Sequence, residues 1–221
     1  MTETNKIRIL NLYAGIGGNR KLWSGDIEVT AVENVPEIAK IYQDFFPQDK
    51  VIIADAHQYL LEHFKEFDFI WSSPPCPTHS RARFWGTKAN TEKSVYPDMD
   101  LYQEIIFLQN SCDCLWVVEN TISYYSPLIQ PLISGSHYFW SNFHITNLKK
   151  EPRVMDGLDN LQKAKGFIVE GKDIDKRKVL RNCVEPELGL HIFNCAFKTK
   201  QMQLSSIPPT DKSVGILEAT L

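Results

Sequence analysis

The chain has 221 residues, enough for one ordinary domain with a sizeable core and a small appendage but not for two full domains. Hydrophobic residues make up 43% and charged residues 23%, which excludes a disordered, collagenous or coiled-coil protein. A net charge of −3 argues against a nucleic-acid binder only if the charge is evenly spread, because phosphate contacts need local Lys and Arg.

Ile7 to Leu12 is a short apolar run that predicts a strand, followed by the turn-rich segment Tyr13-Ala-Gly-Ile-Gly-Gly18 and a predicted helix near Asn19 to Trp23. A second strand is expected over Ile27 to Glu33. Val35 to Phe46 has helical spacing and stops at Pro47. Val51 to Ala54 reads as a third strand ending at Asp55, Ala56 to Phe64 as a helix, and Phe67 to Trp71 as a fourth strand running into Ser-Ser-Pro-Pro-Cys-Pro. A polar stretch from Thr78 to Pro97 precedes an apolar helix, Met99 to Cys114, and a fifth strand, Leu115 to Glu119. Tyr138 to Ile145 is strand-like, residues 149–182 are polar and lysine-rich, and Pro186 to Phe197 predicts a terminal helix.

Strands alternating with helices imply an α/β domain with a largely parallel sheet. The chain divides into an α/β domain over 1–148, a small polar insertion over 149–180, a terminal segment over 181–198 and a loosely packed tail over 199–221. Ligands of such sheets bind beyond the carboxyl ends of the strands. The glycine loop, Glu33, Asp55, Pro74 to Cys76 and Glu119-Asn120 should therefore gather along one edge.

Five cysteines, Cys76, Cys112, Cys114, Cys183 and Cys195, form an odd number without paired spacing, which predicts reduced thiols. Cys112-x-Cys114 is expected to be core packing beside a strand. There is no Cys-x-x-Cys pair and no histidine spacing suited to a metal, so no metal site is expected. The amino-terminal residues lack an apolar signal region, and no apolar run reaches membrane length, so the expectation is a soluble, cytoplasmic protein without membrane partners.

Gly15-x-Gly17-Gly18 after a strand lets backbone approach a ligand closely, or simply makes a tight turn. A dinucleotide fingerprint would need glycine where Arg20 stands, which disfavours a pyrophosphate ligand. Glu33 is placed where a carboxylate meets ribose hydroxyls, and Asp55 could accept from an adenine amino group. Either could instead be a strand-end or capping acid. Cys76 sits among three prolines that forbid regular structure, in a setting suited to holding a nucleophile still. Nearby Arg81 and Arg83 are expected to favour its thiolate. His79 is only three residues away on the same loop, which does not suit a Cys/His protease pair. Glu119 ends a wholly apolar strand, a setting that raises a carboxyl pKa.

In this order, YAGIGG, ENV from Glu33, Asp55, PPCP from Pro74 and ENT from Glu119 resemble the DNA cytosine carbon-5 methyltransferases. The return Arg181-Asn-Cys-Val-x-Pro-x-Leu-Gly189 resembles that family's closing motif, and the short variants carried by bacteriophages, as in restriction-modification, are nearest in character. The resemblance spans roughly 7–197. It implies a Rossmann-like S-adenosylmethionine-dependent methyltransferase fold. It further implies that Tyr13, Gly15, Gly17, Gly18, Glu33, Asp55 and Pro75 bind S-adenosylmethionine, that Cys76 adds to carbon 6 of a flipped cytosine, and that Glu119 steadies charge at the ring nitrogen. The family's pair of arginines near the sixth strand has no counterpart in Ser134 to Phe139, where His137 is a candidate substitute. A non-catalytic binder of the cofactor or DNA, the same chemistry on RNA, and a modified methyl donor are the alternatives.

DNA is the partner the resemblance implies, and the charge distribution accommodates it. Residues 78–93 carry four Lys or Arg against one Glu, among them Arg81, Arg83 and Lys88, and residues 149–182 carry ten against six acids. Phe84 and Trp85 could wedge into a base stack or pack the loop down.

Overall fold

The structure, a computed structural model, describes residues 6–149, 157–169 and 174–205. Seven strands form one sheet: β1 (Ile7–Leu12), β2 (Ile27–Val32), β3 (Lys50–Ile52), β4 (Phe69–Ser72), β5 (Leu115–Thr121), β6 (Leu132–Ser134) and β7 (His137–Ser141). Their spatial order is β3-β2-β1-β4-β5-β7-β6. The first five strands are mutually parallel, and β7 runs antiparallel to both β5 and β6. The α/β architecture with a largely parallel sheet is therefore as the sequence predicts.

Helices α1 (Pro36–Phe45), α2 (Ala56–His63), α3 (Arg81–Lys88), α4 (Asp100–Ser111), α5 (Leu158–Lys165), α6 (Lys176–Asn182) and α7 (Pro186–Ser205) complete the described chain. Proline opens α1, where its missing N–H costs nothing. Asp55, Ser80 and Asp175 cap α2, α3 and α6 by accepting a backbone N–H three residues on.

Because successive strand residues face opposite ways, each central strand feeds two cores. Ile9, Phe69, Trp71, Val117 and Phe139 meet Ile192 and Phe193 of α7 on one face. Leu10, Ile70, Trp116 and Val118 meet Leu60 of α2 and Leu101, Ile105 and Leu108 of α4 on the other. A third cluster joins the glycine loop to α1, α5 and α6 through Ile16, Tyr42, Phe46, Leu161, Phe167 and Leu180.

Three local expectations are corrected. Residues 19–23 form turns rather than a helix, because Arg20 points inward and grips buried Asp49 with two bonds of 2.8 and 3.0 Å. The polar stretch 78–97 contains α3, and β6 precedes the strand expected near residue 138. Cys112 and Cys114 are joined in a disulfide rather than packed as free thiols. The end of α4 and the start of β5 bring their Cα atoms to 5.4 Å, within bridging range. A groove of about 750 Å³, lined by Arg8, Asp68, Cys112, Cys114 and His144 among others, lies beside this bridge at the amino edge of β4 and β5. It is remote from the strand ends considered below.

The terminal segment closes directly on the glycine loop. A Cβ on Gly18 would overlap Cys183 Sγ and the Val184 carbonyl, and one on Gly189 would overlap the backbone of Asn19. Trp23 Nε1 donates to the Gly189 carbonyl at 3.2 Å. Gly189→Ala should therefore destabilise the fold by roughly 1–3 kcal/mol, the usual cost of overpacking. Thermal unfolding checks this, and a wild-type melting temperature would refute it.

Candidate active site

The carboxyl edge of the sheet is assembled from loops that the strands deliver side by side. After β1, Tyr13 adopts a left-handed backbone at φ 53°, which for a non-glycine residue costs on the order of 1–2 kcal/mol. Gly15 and Gly17 follow at φ 54° and 84°. Gly17 has no room for a side chain beside Tyr42 and Phe46, whereas a Cβ on Gly15 would meet nothing within 4 Å. The loop is packed from behind and open in front.

Glu33 follows β2 and is buried, and its carboxylate is held by two backbone donors. Gly15 N–H donates to one oxygen at 3.0 Å and Val35 N–H to the other at 3.0 Å. The carboxylate is thereby fixed against the glycine loop with its outward lone pairs unspent. Val35 and Ile53 beside it are exposed apolar residues at the ends of β2 and β3, 38% and 59% accessible. An open glycine, a fixed acid and two apolar faces fit an adenosyl group with a ribose. The sequence reading missed the two aliphatic residues, whose signal is an apolar side chain beside each strand-end acid. Asp55 is nearby in sequence but exposed, and it caps α2 by accepting from Gln58 N–H at 2.9 Å.

After β4, the Ser73-Pro-Pro-Cys segment is clamped to the end of β5. Asn120 donates from Nδ2 to the Pro74 carbonyl at 3.0 Å, leaving Pro75 exposed and Cys76 half-buried. The Cys76 carbonyl accepts from His79 and Ser80 N–H in a tight turn. The loop beyond is pinned again: Tyr124 N–H donates to His79 carbonyl, His79 Nδ1 lies 2.6 Å from Tyr125 Oη, and Phe84 stacks on Tyr124 at 4.9 Å. Phe84 thus packs the loop down, while Trp85 is 64% exposed.

Burial, and secondarily the charge of Glu119, push the Cys76 thiol up to about 11. This corrects the expectation that Arg81 and Arg83 lower it. Arg81 Nε donates to the Ser123 carbonyl, and Arg83 is occupied by the Lys93 carbonyl and Glu92. Lys88 lies over the Phe84 ring, its Nζ 4.9 Å from the centroid. None of these three cations appears among the influences on the thiol.

Glu119 is buried, and desolvation raises its carboxyl pKa as the sequence predicts, with His137 and a hydrogen bond from Ser73 pulling the other way. His137 Nε2 stands 3.7 Å from Glu119 Oε1, and its Nδ1 is buried without a hydrogen-bond partner among the described residues. β7 brings it there, pairing His137 opposite Thr121. In the basic insertion, Lys165 is buried and bonded to the Cys183 carbonyl at 2.5 Å and to Glu185 at 2.8 Å, so its charge is spent internally. Residues 150–156 and 170–173 of that insertion lie outside the described residues.

Over residues 7–106 the chain matches the family of C-5 cytosine-specific DNA methylases. The resemblance drawn from the motifs is borne out across that span. The methylase match includes the glycine loop, Glu33, Asp55 and Cys76 and ends within α4, so Glu119 and the terminal motif lie beyond it. Among solved structures, the Entamoeba histolytica methyltransferase EhMeth shares the fold with a TM-score of 0.56 at 11% identity, covering 88% of this chain and 99% of that one. A variant of Spodoptera frugiperda DNMT2 is similar more loosely, with a TM-score of 0.44 at 18% identity over 67% of this chain and 56% of that one. The chain matches no curated protein. The fold is the Rossmann-like α/β fold of methyltransferases.

Burial and the like charge of Glu119 together set how Cys76 should react. Alkylation by iodoacetamide should keep accelerating with pH up to about 11, since an ordinary thiol near 8.5 would level off earlier. Glu119→Gln removes the negative charge that disfavours the thiolate and should speed alkylation a few-fold at pH 8–9. Mass-spectrometric rates at Cys76 check both, and a plateau below pH 9 would contradict the first.

Proposed function

We propose that this chain is a DNA (cytosine-5-)-methyltransferase, transferring a methyl group from S-adenosylmethionine to carbon 5 of cytosine through a covalent Cys76 adduct. The observation that carries the reading is the clamp between Pro74 and Asn120, which sets the cysteine segment beside Glu119 on the same sheet edge as the Gly15–Glu33 pair. The family match over 7–106 supports the substrate class. S-adenosylmethionine, when bound, would supply an electrophilic sulfonium methyl. Tyr13, Gly15, Gly17, Gly18, Glu33, Asp55 and Pro75 would hold it, with Glu33 on the ribose.

Carbon 5 of cytosine is a poor nucleophile, so the chain's residues must first activate the ring. The Cys76 thiolate forms a bond to carbon 6, and the displaced electron pair makes carbon 5 enamine-like while the Glu119 carboxyl holds a proton at ring N3. Carbon 5 would take the methyl as the donor's sulfur–methyl bond breaks, the bonding pair staying on the departing thioether sulfur, and would then lose its proton to solvent. The bond from Cys76 to carbon 6 breaks, and its electron pair returns to sulfur.

The raised pKa of each group gives this sequence an order. Without a bound cytosine, burial holds both groups toward their neutral forms, and the charge of Glu119 further opposes ionisation of the thiol. A cytosine that engages a protonated Glu119 removes the opposing charge and so eases thiolate formation. The thiol is quiet until its substrate arrives.

The target base must leave the duplex stack to reach Cys76. Arg81, Arg83 and Lys88 on the loop after the nucleophile would meet the phosphates, and the protein would act inside the cell, where DNA is. Incubation with labelled S-adenosylmethionine and mixed-sequence DNA should place label on carbon 5 of cytosine, read by mass spectrometry and sequencing. Cys76→Ser should reduce transfer at least a thousandfold. Wild-type transfer by that variant, or label on RNA and none on DNA, would overturn the reading.

A further inference from the structure

Glu104 sits on the inner face of α4, among Leu101, Tyr102, Ile105 and Leu108, with a side chain wholly removed from solvent. A carboxylate there is expensive unless its lone pairs are filled. Three donors fill them. Tyr13 Oη lies 2.5 Å from one oxygen and His57 Nδ1 3.0 Å from the same oxygen, and Ser72 Oγ lies 2.5 Å from the other.

The donors come from three different places on the reactive edge. Tyr13 begins the glycine loop in its left-handed conformation, and Ser72 ends β4 immediately before the cysteine segment. His57 lies in the first turn of α2, two residues after Asp55. β1 and β4 are neighbours in register, Leu12 opposite Ser72, so the carboxylate straddles the junction between the two loops. An apolar residue would satisfy the α4 face as its neighbours do, and packing alone gives no reason for an acid here.

We propose that Glu104 is a positioning residue that holds the glycine loop through Tyr13 and the Cys76 loop through Ser72, setting the two reactive partners relative to each other. This rests on the methyltransferase reading above. Glutamine at 104 offers one acceptor oxygen to groups that need a carboxylate, and so should release both loops while keeping the side-chain volume.

The two arms have separate readouts. By calorimetry, Glu104→Gln should weaken S-adenosylmethionine binding at least tenfold and Tyr13→Phe to a similar extent, and the double variant should bind no more weakly than either single one. Ser72→Ala should bind within twofold of wild type but transfer methyl to mixed-sequence DNA about tenfold more slowly at saturating donor. Wild-type affinity in Glu104→Gln or in Tyr13→Phe, or losses that multiply in the double variant, would overturn the inference. Should Glu104→Gln fail to fold, the Tyr13→Phe affinity and the Ser72→Ala turnover decide it alone. A wild-type chain that binds no S-adenosylmethionine would instead remove the reading beneath it.

Discussion

The glycine loop is held from behind by side-chain rings and by backbone pressed against backbone, and most of the molecule is arranged around that lack of space. Gly17 is closed off by the rings of Tyr42 and Phe46, and Gly18 by Cys183 and Val184. Gly189 sits directly on Asn19. A turn packed so tightly from behind can present only its front, where Gly15 is open and Glu33 is braced. The inward pair Arg20–Asp49, with Tyr42 Oη also donating to Asp49 at 2.9 Å, anchors the same turn from within. The terminal helix thus backs the glycine loop although it follows the sheet by many residues in sequence.

Electrostatically, the reactive edge is built from charges that are confined rather than paired outward. Glu33 spends its charge on backbone amides, Glu104 on three side-chain donors, and Glu119 shares its pocket with a histidine and a thiol. Confinement of this kind fixes side chains without the exposed ion pairs that water would weaken. At Glu119, burial pushes the carboxyl toward its neutral form.

Much of this was legible in the sequence because periodicity and punctuation agreed. Ile9 and Leu10, or Val117 and Val118, lie in apolar runs that could only be strands with two covered faces, and prolines at 47 and 74–77 marked where elements stop. The site residues Cys76 and Glu119 were visible because each interrupts an expected pattern. Other features had weak signals. Helix α3 is polar and has no fully buried residue, so only its Ser80 cap and Phe84 betray it. The turn at residues 19–23 looked helical because nothing local reveals that Arg20 turns toward Asp49. Glu104 was overlooked inside an apolar helix, where a lone acid on the buried face was itself the clue. The raised thiol pKa of Cys76 comes from burial and from Glu119, and both are set only by tertiary structure.

The reversal of β7 has a topological consequence. A strand running backwards presents its first residue, His137, at the edge where the others present their last, and then carries the chain away to the far side. Residues 142–148 bring it back, Leu148 N–H donating to Ser134 Oγ at 3.0 Å and Gly135 N–H to the Leu148 carbonyl at 3.0 Å. Before the chain reaches Cys183, against Gly18, it already packs Leu161, Phe167 and Leu180 into the cluster that holds Ile16 of the glycine loop. The described residues of α5 and α6 are thus built into the core behind the glycine loop rather than appended to it. A replacement for that segment would have to restore the packing of Leu161, Phe167 and Leu180, so any change made there would be felt at the glycine loop.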